Sequence, residues 1–405
     1  MKRQVCLLMV LLLLLAGCTP SQSDPSENTF EPFDTAETAF ANAWAYPCLS
    51  ADQQRNYAAV YEAIVGGFTD ETYVTVAVDG EDCSLRGVSV TLPVPLATEE
   101  EIVALYDALV QDNPQFFHLG SIYGYDGRQY GDKRRLTALK LTYTMSAEQR
   151  VAAKQSIDEK TASLLSVLPH HRTAFETELA LHDLLMSLCR YDTEAASSTA
   201  PLTQHTVSFT VYGALSGKAV CEGYSRAMQY LLNKAGCPTT VVTGWDADGR
   251  PHMWNAVRLE GKVYHLDVTW NDAEELPTYT YFNLNTDEIR RSHRMDDKTL
   301  GVPDSTDKDD NYYRATDAYL ETARIEDIAS GIALRLADGE SVVHLRFSDA
   351  AFDQALFFVR STAWFTDTVN AYAETGEPLL EHYTFTYNEI YKTVTISKKP
   401  LDIGA

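Results

Sequence analysis

Gly217-Lys218-Ala219-Val220-Cys221-Glu222-Gly223-Tyr224-Ser225-Arg226-Ala227-Met228 opens the stretch from which the rest of the chain is read. From Tyr224 onward, apolar residues recur at Ala227, Met228, Leu231, Leu232 and Ala235, the i, i+3, i+4, i+7 spacing of one buried helix face. Gly236 with Pro238 close behind predicts the stop, because Gly accepts a left-handed cap and Pro cannot continue a helix. Cys221 therefore falls in the first turn. The unpaired N–H groups there favour negative charge, so a thiolate is stabilised.

A hairpin follows. Residues 252–259 and 262–270 read as strands, and Glu260-Gly261 fits a two-residue turn between them. Counting outward from Leu259 opposite Lys262 puts His252, Trp254, Ala256 and Arg258 on one face with Val263, His265, Asp267 and Thr269. Trp254 then lies opposite Asp267, with His252 one diagonal step away; a slip or bulge of one residue would undo this. The stretch offers a helix-terminal thiol, an imidazole to take its proton and a carboxylate to orient the imidazole, the parts of a thiol acyl-transfer site. Core thiols, surface imidazoles and turn carboxylates are commoner roles for these residue types. The helix start at Cys221, the shared hairpin face and the order Cys, His, Asp favour the catalytic reading.

Three segments, Val220-Cys221-Glu222-Gly223-Tyr224-Ser225, His252-Met253-Trp254-Asn255 and Tyr264-His265-Leu266-Asp267-Val268-Thr269-Trp270, resemble the motifs of the transglutaminase-like (transglutaminase/protease-like) superfamily. Leu181-His182-Asp183-Leu184-Leu185 and Arg190-Tyr191-Asp192 resemble the helix that precedes the nucleophile in bacterial members. The likeness spans roughly residues 170–290. It implies an α+β, papain-like core with the nucleophile helix on an antiparallel sheet. Cys221 would be the nucleophile, His252 the base and Asp267 the third member. His265 shares the hairpin face and is a rival base. Tyr281-Phe282-Asn283-Leu284 resembles a closing strand.

The N-terminus reads as a targeting segment, residues 1–17: Lys2 and Arg3, an apolar run from Val5 to Leu15, then Leu15-Ala16-Gly17 before Cys18. It resembles a bacterial lipoprotein signal, which implies cleavage before Cys18, a lipid on that thiol and a protein tethered to the membrane on its extracytoplasmic face. Residues 18–30 are a polar spacer. The formal net charge is −24, and two units more negative without Lys2 and Arg3. That surface disfavours nucleic acid as a partner. Cys48, Cys83, Cys189 and Cys237 are left for disulfides or for buried free thiols. No Cys-x-x-Cys or His-Glu-x-x-His spacing indicates zinc, and no cofactor is expected.

Residues 31–165 are expected to form an α/β module. Capping boxes at Ser50/Gln53, Thr98/Glu101 and Ser146/Gln149 start three of its helices, and residues 72–78 and 136–145 alternate as strands. Residues 166–295 hold the core, starting with a helix over 172–188 on which His182 and Asp183 are expected to be surface or cap residues. Residues 296–311 are acidic and read as a solvated linker; residues 312–405 form a second, smaller α/β module. Tyr212 is a candidate donor to an oxyanion beside the Cys221 N–H, or an aromatic packing residue. Trp254 and Trp270 are candidate site walls or core residues. The implied activity is acyl transfer from a protein or peptide substrate at the cell envelope through a Cys221 thioester, most simply hydrolytic. The alternatives are a cross-linking transglutaminase, a glycan-releasing amidase, and a non-catalytic binding module on the same fold.

Overall fold

The computed structural model describes residues 33–34, 36–197, 206–273, 276–374 and 377–398. The signal segment and Cys18 lie outside the described residues. No helix among the described residues is long and apolar enough to cross a membrane.

Local chemistry sets the starts of the four long helices that precede Cys221 among the described residues. Ser50, Thr98, Ser146 and Thr173 each accept from the backbone N–H three residues on, and Gln53, Glu101, Gln149 and Glu176 reciprocate. The helices they open are Ala51–Gly66, Glu99–Asp112, Ala147–Ser166 and Ala174–Leu188. The N-terminal module is built on the antiparallel sheet Tyr73–Val78, Glu81–Leu96, Lys133–Tyr143, Leu119–Tyr130, in that spatial order. It is thus α+β in its pairing rather than α/β. Two of its four strands, Glu81–Leu96 and Leu119–Tyr130, carry glycines and polar residues that hide a strand pattern.

The core sheet runs His293–Met295, Thr239–Asp246, Pro251–Leu259, Lys262–Leu266, every pair antiparallel. The helix Cys221–Lys234 packs on it, burying Tyr224, Ala227, Met228, Leu231 and Leu232. Gly236 takes φ +85° just past the helix, where a side chain would be strained. The N-terminal module reaches this core through Gln111, whose amide donates to Leu300 O and Thr240 Oγ1, and through Arg226, which donates to Val110 O.

The segment expected as a solvated linker is pinned to the core. Ser305 and Thr286 exchange hydrogen bonds, Thr299 bonds Thr243, and Asp304 and Asp309 pair with Arg290 and Lys262. Its charges mark exposed pairs on a strap that is anchored to the core at Asp296, Thr299 and Ser305. Beyond it, the C-terminal sheet runs Tyr319–Leu320, Val342–Phe347, Thr393–Ser397, Thr384–Asn388. Its first pair is parallel and the others antiparallel, so this module also departs from the α/β expectation. Its core of Ile328, Ile332, Val343, Phe358, Phe365 and Val394 is separate from the cluster around Val242, Trp254 and Val263 on the central sheet. Cys48, Cys83, Cys189 and Cys237 are free thiols; Cys189 and Cys237 are buried, Cys83 is half-buried and Cys48 is exposed.

Candidate active site

The hairpin register is the one obtained by counting. Glu260 and Gly261 both have positive φ, +49° and +85°, as a type I′ turn requires, and Leu259 faces Lys262, Val257 faces Tyr264, and Asn255 faces Leu266. The second strand ends earlier than expected, at Leu266 rather than 270. Asp267 leaves the ladder and becomes the N-cap of the short helix Val268–Asn271, its Oδ1 accepting from Trp270 N at 3.1 Å. The opposite oxygen, Oδ2, accepts from His252 Nε2 at 2.7 Å. Capping and imidazole orientation are thus shared between the two oxygens of one fully buried carboxylate.

Cys221 is the first residue of its helix. Val220, the N-cap, supplies no side-chain bond, which leaves the first-turn amides open beside the half-buried thiol. His252 interacts with Cys221 and with Asp267. Because Nε2 faces the carboxylate, Nδ1 is the nitrogen left for the thiol proton. Burial lowers the basicity of His252, but Asp267 and Cys221 outweigh burial and raise its pKa to about 10. For Asp267, burial pushes upward, while His252 and then His293 hold the carboxyl well below the usual carboxylate range.

Motif residues beside Cys221, His252 and Asp267 fasten helix to sheet. Ser225 Oγ donates to Met253 O at 2.9 Å, and Asn255 Nδ2 donates to Ser225 O at 2.9 Å and Thr240 O at 3.2 Å. Tyr224 donates to Asp272 at 2.6 Å, just past the short helix capped by Asp267. Upstream, Arg190-Tyr191 pairs in parallel with Lys218-Ala219, and Asp192 accepts from Ser208 Oγ and Ala195 N. These contacts fix the approach to Cys221.

Several expected roles change. Tyr212 lies on the short helix Val211–Leu215 with its ring 6.2 Å from Phe117. The phenol on which Cys221 and Asp267 act electrostatically is that of Tyr191; burial first, then those two groups, push it up to about 12. Trp254 is fully buried behind His252, with ring centroids 6.2 Å apart, so it is core rather than a wall. Half-buried Trp270 lies with its ring 5.2 Å from the His252 ring. It also lines a groove of about 480 Å³ with Thr278, Thr280, Tyr281, Thr386 and Asn388, between the core and the C-terminal sheet. The rival base His265 is turned away: its Nδ1 accepts from Trp254 Nε1, and burial lowers its pKa to about 4. His182 is buried, against the expectation of a surface residue, and meets Asn271 Nδ2 at 3.1 Å. Tyr281–Leu284 forms only an isolated bridge, Leu284 with His265, and no strand.

His293 is a site residue that motif reading missed. Its Nε2 donates to the same Asp267 Oδ2 at 3.1 Å. No local signal marks it, since it lies beyond the three motifs, on an edge strand that joins the sheet from the far side. Polar atoms of His252, Asp267 and His293 lie within 4.8 Å of one another, a donor set of the kind that binds zinc, here engaged in mutual hydrogen bonds.

A papain-like core with a helix-terminal cysteine and a histidine–carboxylate pair on an antiparallel sheet defines the class. Residues 160–268 match the family model described as the Transglutaminase-like superfamily, so the chain contains a transglutaminase-like core that includes Cys221, His252 and Asp267. Among solved structures, one described as a TGase is similar at 19% identity and TM-score 0.27, over 36% of this chain and 44% of its own. A candidate cysteine protease from Cytophaga hutchinsonii is similar at 13% and 0.23, over 38% and 66%. A candidate protease from Parabacteroides distasonis is similar at 12% and 0.22, over 48% and 35%. The chain thus spans less than two thirds of each of these structures. No curated protein matches it.

Proposed function

We propose that the chain is an extracytoplasmic, lipid-anchored cysteine enzyme of transglutaminase-like type that cleaves a peptide or carboxamide bond. The observation that carries this reading is the Asp267–His252 pair at 2.7 Å, set against a thiol at an uncapped helix start. His252 Nδ1 takes the Cys221 proton, and the sulfur attacks the carbonyl carbon. The oxyanion is received by the Cys221 N–H. His252 then returns its proton to the leaving amine. Water, activated by the same imidazole, adds to the thioester, releasing the acid and restoring the thiol. Asp267 holds His252 with Nε2 protonated and stabilises the imidazolium. The groove walled by Trp270 offers hydroxyls, an amide and aromatic faces suited to an extended peptide. Anchoring through Cys18 rests on the apolar run and the Leu15-Ala16-Gly17-Cys18 sequence.

The test is the rate of iodoacetamide alkylation at Cys221, read by peptide mass spectrometry at about pH 6, in wild type and His252→Ala. A fast reaction in wild type that is lost without His252 supports an activated nucleophile. A slow thiol indifferent to His252 overturns the enzyme reading and favours a binding module. Glutamine–lysine isopeptides in treated protein mixtures would replace hydrolysis with cross-linking.

A further inference from the structure

We propose that His293, Ser292 and Tyr391 form a positioning chain that holds the Asp267 carboxylate against His252, making the C-terminal module part of the reaction centre's framework. The inference rests on the catalytic reading of Cys221, His252 and Asp267. It starts from a crowded oxygen. Asp267 Oδ2 accepts two imidazole N–H groups, from His252 at 2.7 Å and from His293 at 3.1 Å, all three side chains being buried. A carboxylate only accepts, so both Nε2 atoms carry protons.

Behind His293 the bonds continue. Ser292 Oγ lies 2.8 Å from His293 Nδ1 and 2.6 Å from the Tyr391 hydroxyl, which also lies 3.1 Å from Glu288 O. One layout runs Tyr391 O–H to Ser292, Ser292 O–H to His293 Nδ1, and His293 Nε2–H to Asp267. The other has Tyr391 donate to Glu288 O, Ser292 to Tyr391, and an imidazolium His293 to both Ser292 and Asp267. Either layout keeps an N–H on the carboxylate. Burial pushes the Tyr391 phenol up to about 12, so it remains a hydroxyl at ordinary pH.

The chain joins three parts of the fold. His293 begins the edge strand that pairs with Gly244–Asp246, and Tyr391 comes from the turn of the C-terminal hairpin, where Asn388 Oδ1 accepts from its N–H. The Tyr391 ring packs 5.1 Å from Tyr281, within the core that also contains Trp254. The groups facing His293 are Asp267, Ser292, the rings of Trp270 at 4.5 Å, Trp254 at 4.8 Å and Tyr281 at 5.8 Å, and His252 at 5.3 Å. Those rings prevent His293 from turning elsewhere, and water is excluded from the carboxylate. Asp267 is therefore held by a second imidazole, and the residues beyond the family-matched segment complete its surroundings.

The experiment measures iodoacetamide alkylation of Cys221 in the full chain from about pH 5 to about pH 10, with folding checked by thermal melting. His293→Phe removes the donor and is expected to slow the reaction roughly tenfold at about pH 6 and move the profile toward higher pH. His293→Gln, which places an N–H near the Nε2 position, restores most of the rate. Tyr391→Phe falls between the two and carries the test if His293→Phe does not fold. A folded His293→Phe with a wild-type profile, or a wild-type profile in Tyr391→Phe when the former is unfolded, overturns the proposal. His252→Ala separates the two readings. If Cys221 responds to His252 but not to His293, the positioning chain falls alone; if it ignores His252, both fall.

Discussion

Replacing Asp267 with asparagine keeps the side chain's size and removes its charge. The asparagine can still cap the short helix through Trp270 N, since asparagine is as good an N-cap as aspartate. The other end of the side chain then becomes an amide N–H₂ facing two imidazole N–H groups. His252 answers by moving its proton to Nδ1, the nitrogen that must accept from the thiol. Two charge-assisted hydrogen bonds are lost, about 1.5–3 kcal/mol each. If most of that difference falls on the imidazolium form, thiol activation loses about 3–6 kcal/mol, a rate factor of about 10²–10⁴. The assay is Cys221 alkylation at about pH 6, with thermal melting to establish the fold. Stability carries a second signature. Against the opposing pull of burial, Asp267 and Cys221 raise the His252 pKa from 6.5 to about 10. The imidazolium's contribution is therefore fully present below about pH 6.5 and is lost as pH rises through about 10. Wild-type and Asp267→Asn melting temperatures should converge across that window. A folded Asp267→Asn protein alkylated at the wild-type rate would refute the reasoning.

Other perturbations probe the frame. Glu178 is fully buried, its pKa raised by burial to about 8, and its Oε2 accepts from Asn283 Nδ2 at 2.7 Å. The native state therefore keeps this proton while the unfolded chain loses it, and stability falls as pH rises from about 4.5 to about 8. Glu178→Gln should match wild type near pH 4 and gain roughly 1–3 kcal/mol by pH 8 in chemical denaturation, net of an unpaired amide; an equal gain at both pH values would count against this account. Gly244→Ala would place its Cβ 2.1 Å from Arg294 O and 3.0 Å from the Trp254 ring. It should cost about 1–3 kcal/mol and slow Cys221 alkylation, because it displaces the strand carrying His293. Asn255→Leu breaks both amide bonds that fasten helix to sheet and should cost about 2–4 kcal/mol, seen as a lower melting temperature; an unchanged melt would dismiss the fastening role.

Much of this protein was legible without coordinates because the determining interactions are local. Capping boxes need only four residues, and the Glu260-Gly261 turn sets a register that counting extends to Asn255 and Leu266. Helical periodicity alone places Cys221 at a helix start. The sequence could not show that Asp267 would leave its strand to cap a helix, a choice between two short-range patterns made by the packing around it. Nor could it show the groove beside Trp270, which exists only because the segment after Asp267 meets the C-terminal sheet. The second imidazole on Asp267 comes from 26 residues downstream and the Tyr391 hydroxyl from 99 residues beyond Ser292. Periodicity and turn chemistry report which way a side chain faces within its own element. Which distant element faces it is decided by burying the rings and carboxylate together, and that belongs to the tertiary structure.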